Sequence, residues 1–260
     1  MKYDFFEMSK DESGVGLVRL HRPPVNAFTL DMAKELERLV EDVLYDDGIK
    51  AVVVAGSPKA FSAGADIEMM REGGWPYLKE LVAVGQRTFE RIETMPKVVV
   101  AAIEGHCLGG GFEFALACDR RVMGAGRGRI GLPEVKLGLI PAWGTSYRLP
   151  RLIGKSKALD FMIRGDAVVA EEALQLGIVD EVCPQEEVVE RAMGYASSIA
   201  GGALVAIASI KKLIHDSFEL SFGKALGLES SLQESVHQTE DFKEGLSAFL
   251  EKRRPVFQGK

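Results

Sequence analysis

Five runs rich in Val and Ile, at 15–20, 50–55, 97–103, 120–123 and 178–182, are bounded mostly by Gly, Asp or other charged residues and have the length of single strands. The run through Val100 reads as a buried strand. Between these runs the period changes. Met32, Leu36, Leu39, Val40 and Val43 recur with helical spacing behind Thr29 or Asp31 as caps. Leu78, Leu81, Val82, Gly85, Phe89 and Ile92 form a second such run, which Pro96 ends. Strands alternating with helices predict an α/β core. Beyond about residue 185 the strand pattern gives way to helix-period runs at 188–200, 204–218 and 242–252, the last just ahead of Pro255. No strict repeat or long flexible linker separates the two regions, so the division reads as a core over 1–200 and a helical segment over 201–260 that packs on the core or on a neighbouring subunit.

Composition narrows the class. The 260 residues, 47% hydrophobic, correspond to between one and two domains. Val98–Ile103, the longest apolar stretch in the middle of the chain, falls far short of the roughly 20 residues that span a bilayer. The first twelve residues mix acids with aromatics, unlike a secretory or transit peptide, and this predicts a cytoplasmic location and no membrane association. Cys107, Cys118 and Cys183 form no C-x-x-C pair, and His21, His106, His215 and His237 lie far apart, so neither a disulfide framework nor a metal site is expected. A net charge of −6 disfavours nucleic acid as a partner; any polyanionic ligand has to be held by local Lys, Arg or helix N-termini.

Three segments carry candidate chemistry. Gly109-Gly110-Gly111 follows the 97–103 strand and opens a helix of small and apolar residues. Such glycines suit either close helix–sheet packing or exposed backbone N–H groups aimed at a ligand oxygen. Glu113, among Phe112, Phe114, Ala115 and Leu116, is costly to bury unless it is paired or holds a shifted pKa for a task. The second segment runs from Lys59 through Ala63, Gly64, Ala65, Asp66 and Ile67. It leaves backbone exposed past a strand end, where ligands of open α/β folds sit, although Asp66 also suits a helix N-cap. The third presents Glu134 after Pro133, which equally fits a first helical turn. Two further patterns carry less. The G-x-G-x-x-G spelling at 126–131 runs at once into Pro133 and opens no long apolar helix, so it is not read as a dinucleotide site. Arg120, Arg121, Arg127 and Arg129 lack interleaved aromatics and read as a solvated face or a subunit contact.

Together these segments resemble the enoyl-CoA hydratase/isomerase family, the crotonases, over almost the whole chain. The likeness rests on Arg22-Pro23-Pro24-Val25-Asn26-Ala27, on Ala63-Gly64-Ala65-Asp66 and on Gly109-Gly110-Gly111. It implies a spiral of ββα units with a C-terminal helical oligomerisation segment, assembled as a homotrimer or a dimer of trimers. It also implies an acyl-CoA thioester as substrate and no cofactor. Under this resemblance the N–H groups of Ala65 and Gly110 form the oxyanion hole for the thioester carbonyl. Glu113 activates water and Glu134 protonates C2, in the hydration of a 2-enoyl-CoA. Ala63, Gly64, Asp66, Ile67 and Gly109 flank the acyl-CoA site. Lys59, Lys252 and Phe249 are the candidates for the CoA end. Isomerases of the family commonly keep only the second glutamate, and some relatives bind RNA; both remain alternatives. The chain departs from the family's Pro-Gly-x-Gly-Gly-Thr run with Pro141-Ala142-Trp143-Gly144-Thr145, where Trp143 either narrows the acyl pocket or serves the core.

Overall fold

In the computed structural model, which describes residues 2–260, the central strand β3 (Ala51–Ala55) is buried at all five positions. Its even and odd residues face different layers. Val52 and Val54 line one small core space with Leu36 and Val40 of α1 (Leu30–Tyr45) and Ile92 of α2 (Ile67–Thr94), whereas Ala51, Val53 and Ala55 meet α7 (Val188–Ala200). The α7 contact face is Val188, Ala192, Ala196 and Ala200, a stripe of mostly methyl groups that lets helix and sheet approach closely. Coverage on both faces explains why β3 and β5 (Val98–Ile103) are apolar runs and not alternating ones.

The main sheet has the order β1-β2-β3-β5-β7-β10. Only β1 (Phe6–Lys10) runs antiparallel, against β2 (Val15–Leu20); β7 (Arg120–Ala125) and β10 (Glu181–Pro184) continue the parallel series. A second sheet stands beside it in the order β4-β6-β8-β9: β4 (Ala60–Ser62), β6 (His106–Leu108), β8 (Ile130–Gly131) and an antiparallel β9 (Ala167–Val168). Each of the first three follows a strand of the main sheet, so the chain steps from one sheet to the other before entering its next helix or turn. That repeated strand, short strand, helix unit is the expected α/β spiral.

The remaining helices are α3 (Gly110–Ala117), α4 (Thr145–Ile153), α5 (Lys155–Arg164), α6 (Ala170–Leu176), α8 (Leu204–Ser217), α9 (Phe222–His237) and α10 (Glu240–Glu251). Three expectations need correction. The run at 178–182 begins as a turn: Gly177, at φ 82°, closes α6, Ile178 N–H bonds back to Ala173, and the strand starts only at Glu181. Ile178 and Val179 are apolar because that turn is buried. The second long helix starts at Ile67, before its apolar periodicity, and breaks at Gly74 (φ 58°) ahead of Pro76. Arg121 is no surface residue: at 4% exposure its guanidinium ties Ile178 and Cys118 carbonyls and the Asp180 carboxylate together. Arg120 lies half-buried against Glu181 and the Tyr195 ring.

Among the described residues no single helix is long and apolar enough to cross a membrane, no metal-ligating cluster occurs, and the three cysteines are free and buried.

Candidate active site

The site lies where the ends of β4 and β6 meet. Gly64, at φ 91°, brings the 63–66 loop so close to the glycine loop that a β-carbon there would stand 3.0 Å from the Leu108 carbonyl and 3.2 Å from Gly110 N. Ala65 forms an isolated parallel bridge with Phe28, using the Gly64 carbonyl and the Asp66 N–H. In such a bridge the intervening N–H points the other way. That is the Ala65 N–H, and like the Gly110 N–H it takes no hydrogen bond within the described chain. Gly110 is the first residue of α3, where backbone donors have no intrahelical partner and the dipole favours an anion.

All three consecutive glycines are also required sterically. Gly109 sits at φ 53°, and a β-carbon on it would lie 3.2 Å from Glu134 Oε1; one on Gly111 would run into the Ser62 backbone; one on Gly110 would overlap the Trp143 ring. Close packing and exposed donors, which the sequence left as alternatives, coexist here.

Two carboxyl groups flank this loop. Glu113, on the first turns of α3, is 3% exposed, and its Oε1 accepts from Trp143 N–H at 2.7 Å and Thr145 Oγ1 at 2.8 Å. Burial pushes its pKa up, and those donors oppose the push. Glu134, on a 3₁₀ turn at Pro133–Leu137, is half-buried, and its Oε2 has no hydrogen-bond partner. Burial raises its carboxyl to about 7, and the neighbouring charge of Glu113 adds to the rise. Glu113 is held by donors from the 143–145 turn, whereas Glu134 has only its own backbone N–H and an Oε2 without a partner. That contrast suits a base beside an acid.

The supporting shell was only partly legible. Asn26, buried and at φ 52°, donates its amide to the Ala60 and Phe61 carbonyls and accepts from Arg22 N–H, fixing β4. Arg22 in turn holds Asp66 at 2.7 Å. The Asp66 carboxylate also caps α2 through Met69 N–H, so the loop end is pinned twice. Trp143 is 4% exposed, edge-on to the rings of Phe28 and Phe89 and seated against Gly85. Its backbone N–H, and not its indole, touches Glu113. Arg148, nearly buried, donates to the Trp143 carbonyl at 2.7 Å and pairs with Glu93 at 2.8 Å. Sequence reading missed Thr145 and Arg148; a polar residue directly after Gly144, and an arginine one helical turn later, were the available signals.

Ile67 opens α2 and is exposed. Lys59 is exposed on the loop before β4. Phe249 lies in the last turn of α10 and is 82% exposed, and Lys252 follows as its C-cap.

The sequence profile described as enoyl-CoA hydratase/isomerase matches residues 10–260. A Bacillus subtilis protein named "Probable enoyl-CoA hydratase" is 38% identical over 94% of this chain and 95% of its own length. A crotonyl-CoA hydratase of Syntrophomonas wolfei is 34% identical over 100% of both. The crystal structure of an enoyl-CoA hydratase from Geobacillus kaustophilus superposes with a TM-score of 0.96 at 41% identity, covering 100% of this chain and 98% of that one. With matches of this extent on both sequence and fold, the chain belongs to the enoyl-CoA hydratase/isomerase family of enzymes.

Proposed function

We propose that this enzyme adds water across the C2–C3 double bond of a 2-enoyl-CoA to give a 3-hydroxyacyl-CoA. The observation that carries the reading is the pair of unlike carboxyl groups flanking one glycine loop, Glu113 held by donors and Glu134 beside Gly109 with its Oε2 unpartnered. The Ala65 and Gly110 N–H groups receive the thioester carbonyl oxygen and make C3 electrophilic. Glu113, as carboxylate, takes a proton from water while the water oxygen bonds to C3. Glu134, as carboxylic acid, gives its proton to C2 as the enolate collapses. Moving a double bond needs only one carboxyl to shuttle a proton, so the second one favours hydration over isomerisation.

Lys59, Lys252 and Phe249 are proposed for the CoA end, with Ala63, Gly64, Asp66, Ile67 and Gly109 shaping the approach to the carbonyl and Trp143 backing the site. The helical segment is proposed to assemble trimers or dimers of trimers. Its α8 and α9 contain no buried residue and expose Ile210, Ile214, Phe218 and Phe222. A cytoplasmic setting accords with three free thiols.

The test is to incubate the protein with crotonyl-CoA and identify the product. Glu113→Gln and Glu134→Gln should each cost on the order of 10²-fold or more in hydration while CoA thioesters still bind. Near wild-type hydration by both variants would overturn the assignment, and a shifted double bond without added water would make the enzyme an isomerase.

A further inference from the structure

A buried carboxylate works as a base only if the oxygen it presents is the right one. Glu113 has three side-chain torsions to fix, and its two short hydrogen bonds, from Trp143 N–H and Thr145 Oγ1, fall on the same oxygen, Oε1. The two short bonds converge on one oxygen and, with weaker help from the Thr145 and Ala142 backbone N–H groups, restrain the carboxylate and leave Oε2 for other work. The Trp143 donor belongs to the backbone. Among the described residues, Thr145 supplies the only side-chain donor to Glu113.

The location of Thr145 makes its hydroxyl unusually committed. It is the first residue of α4, directly after Gly144 at φ 102°, a conformation that turns the Trp143 N–H and the Thr145 side chain toward α3 together. No preceding helical turn offers the hydroxyl a carbonyl, the usual competitor for a helical threonine. The residue is completely buried, so its hydroxyl is closed to bulk solvent. β-Branching limits its χ1, so the donor arrives already aimed. A bond from a neutral hydroxyl to an ionised acceptor is also stronger than one between neutral groups.

We propose that Thr145 is a positioning residue for hydration: its hydroxyl locks the Glu113 carboxylate so that Oε2 is the oxygen presented to the reacting water. The proposal rests on the hydratase reading above, in which Glu113 is the base. It differs from a packing role in what it affects. A packing residue changes the amount of folded enzyme, whereas a positioning residue changes turnover by enzyme that is folded and loaded with substrate.

The experiment compares Thr145→Val, Thr145→Ser and Glu113→Gln on crotonyl-CoA, with melting curves for each. Valine keeps the shape and removes the donor; kcat should fall roughly tenfold, the worth of one such bond, with KM changed by less than about twofold. Serine restores the hydroxyl and should recover kcat to within about threefold of wild type. Should the valine variant fail to fold, Thr145→Ala carries the same comparison with serine. The proposal is overturned if folded Thr145→Val turns over at the wild-type rate while Glu113→Gln is inactive, a result that leaves the hydratase reading intact. It is equally overturned if serine, folded as wild type, fails to recover what valine loses. A fully active Glu113→Gln would instead remove the hydratase reading on which the proposal stands.

Discussion

The six-membered ring of Trp143 occupies the space that a methyl group on Gly110 would need. The indole has no obvious retreat, because Phe28 and Phe89 meet it edge-on with ring centroids 5.6 and 5.3 Å away and Gly85 closes the far side. The glycine that opens α3 and the tryptophan beside Glu113 are therefore one packing unit.

Gly110→Ala should consequently do two things. Overpacking a filled site costs about 1–3 kcal/mol, and pushing the loop away from the indole displaces a proposed oxyanion donor, worth on the order of 10² in kcat. Because the collision is specific, Trp143→Leu in the Gly110→Ala background should return part of the lost stability. A double-mutant cycle by chemical denaturation measures that coupling; strictly additive effects would show that the ring and the loop do not press on each other.

Much of this was legible before any coordinates, for reasons particular residues make plain. Val52 to Val54 and Val98 to Ile103 announce buried strands because both faces of the main sheet are covered. The second sheet was invisible because β4, β6, β8 and β9 have two or three residues each, too few for a period. The Glu113 and Glu134 positions came from segment patterns, but their supports come from distant chain: Asn26 braces Ala60 and Phe61, and Thr145 reaches Glu113 from 32 positions away. Arg121 was misread for the same reason, since Asp180, its partner, lies 59 positions on.

Glu134 should tie stability to pH. Its carboxyl titrates at 4.5 ordinarily and at about 7 in the fold. Between those values the folded protein holds a proton that the unfolded chain has released, so stability falls as pH rises through this window, and the penalty is complete above pH 7. Glu134→Gln removes the ionisation and should be more stable than wild type at pH 8 by about 1–3 kcal/mol, a figure reduced for the half-buried setting of the group. The gap should close by pH 4.5. Denaturation midpoints across that range check it, and a gap independent of pH would refer the effect to something other than this carboxyl.

Asn26 offers a sharper probe of the first loop. Asn26→Asp keeps the acceptor for Arg22 N–H and tolerates the left-handed backbone, but it sets a carboxylate against the Ala60 and Phe61 carbonyls, both now 3.1 Å from the amide nitrogen. A buried charge facing acceptors should cost about 3 kcal/mol or more. The same change should loosen Ser62, whose hydroxyl donates to the Asn26 carbonyl and accepts from Gly64 N–H, and so lower turnover. Protonating the new acid restores one donor, so the variant should regain stability relative to wild type as the pH is lowered. A deficit that stays constant with pH would mean the carboxylate escapes the carbonyls.

Trp143 decides between a wall of the acyl pocket and a strut of the core, and its burial favours the strut. Trp143→Gly should leave a large cavity beside Phe28 and Phe89 and cost about 3–5 kcal/mol. It also frees the backbone whose N–H holds Glu113, so kcat should drop for every substrate alike. Were the indole instead lining the pocket, its removal would admit more chain. Each newly buried methylene is worth about 0.8 kcal/mol, which would raise kcat/KM for longer enoyl chains severalfold per carbon relative to crotonyl-CoA. Chain-length profiles of wild type and variant, taken at a temperature where both are folded, separate the two. Parallel profiles with a uniformly lower rate are the expected result, because nearly all of the indole surface is already spent on protein and little remains for an acyl chain to touch.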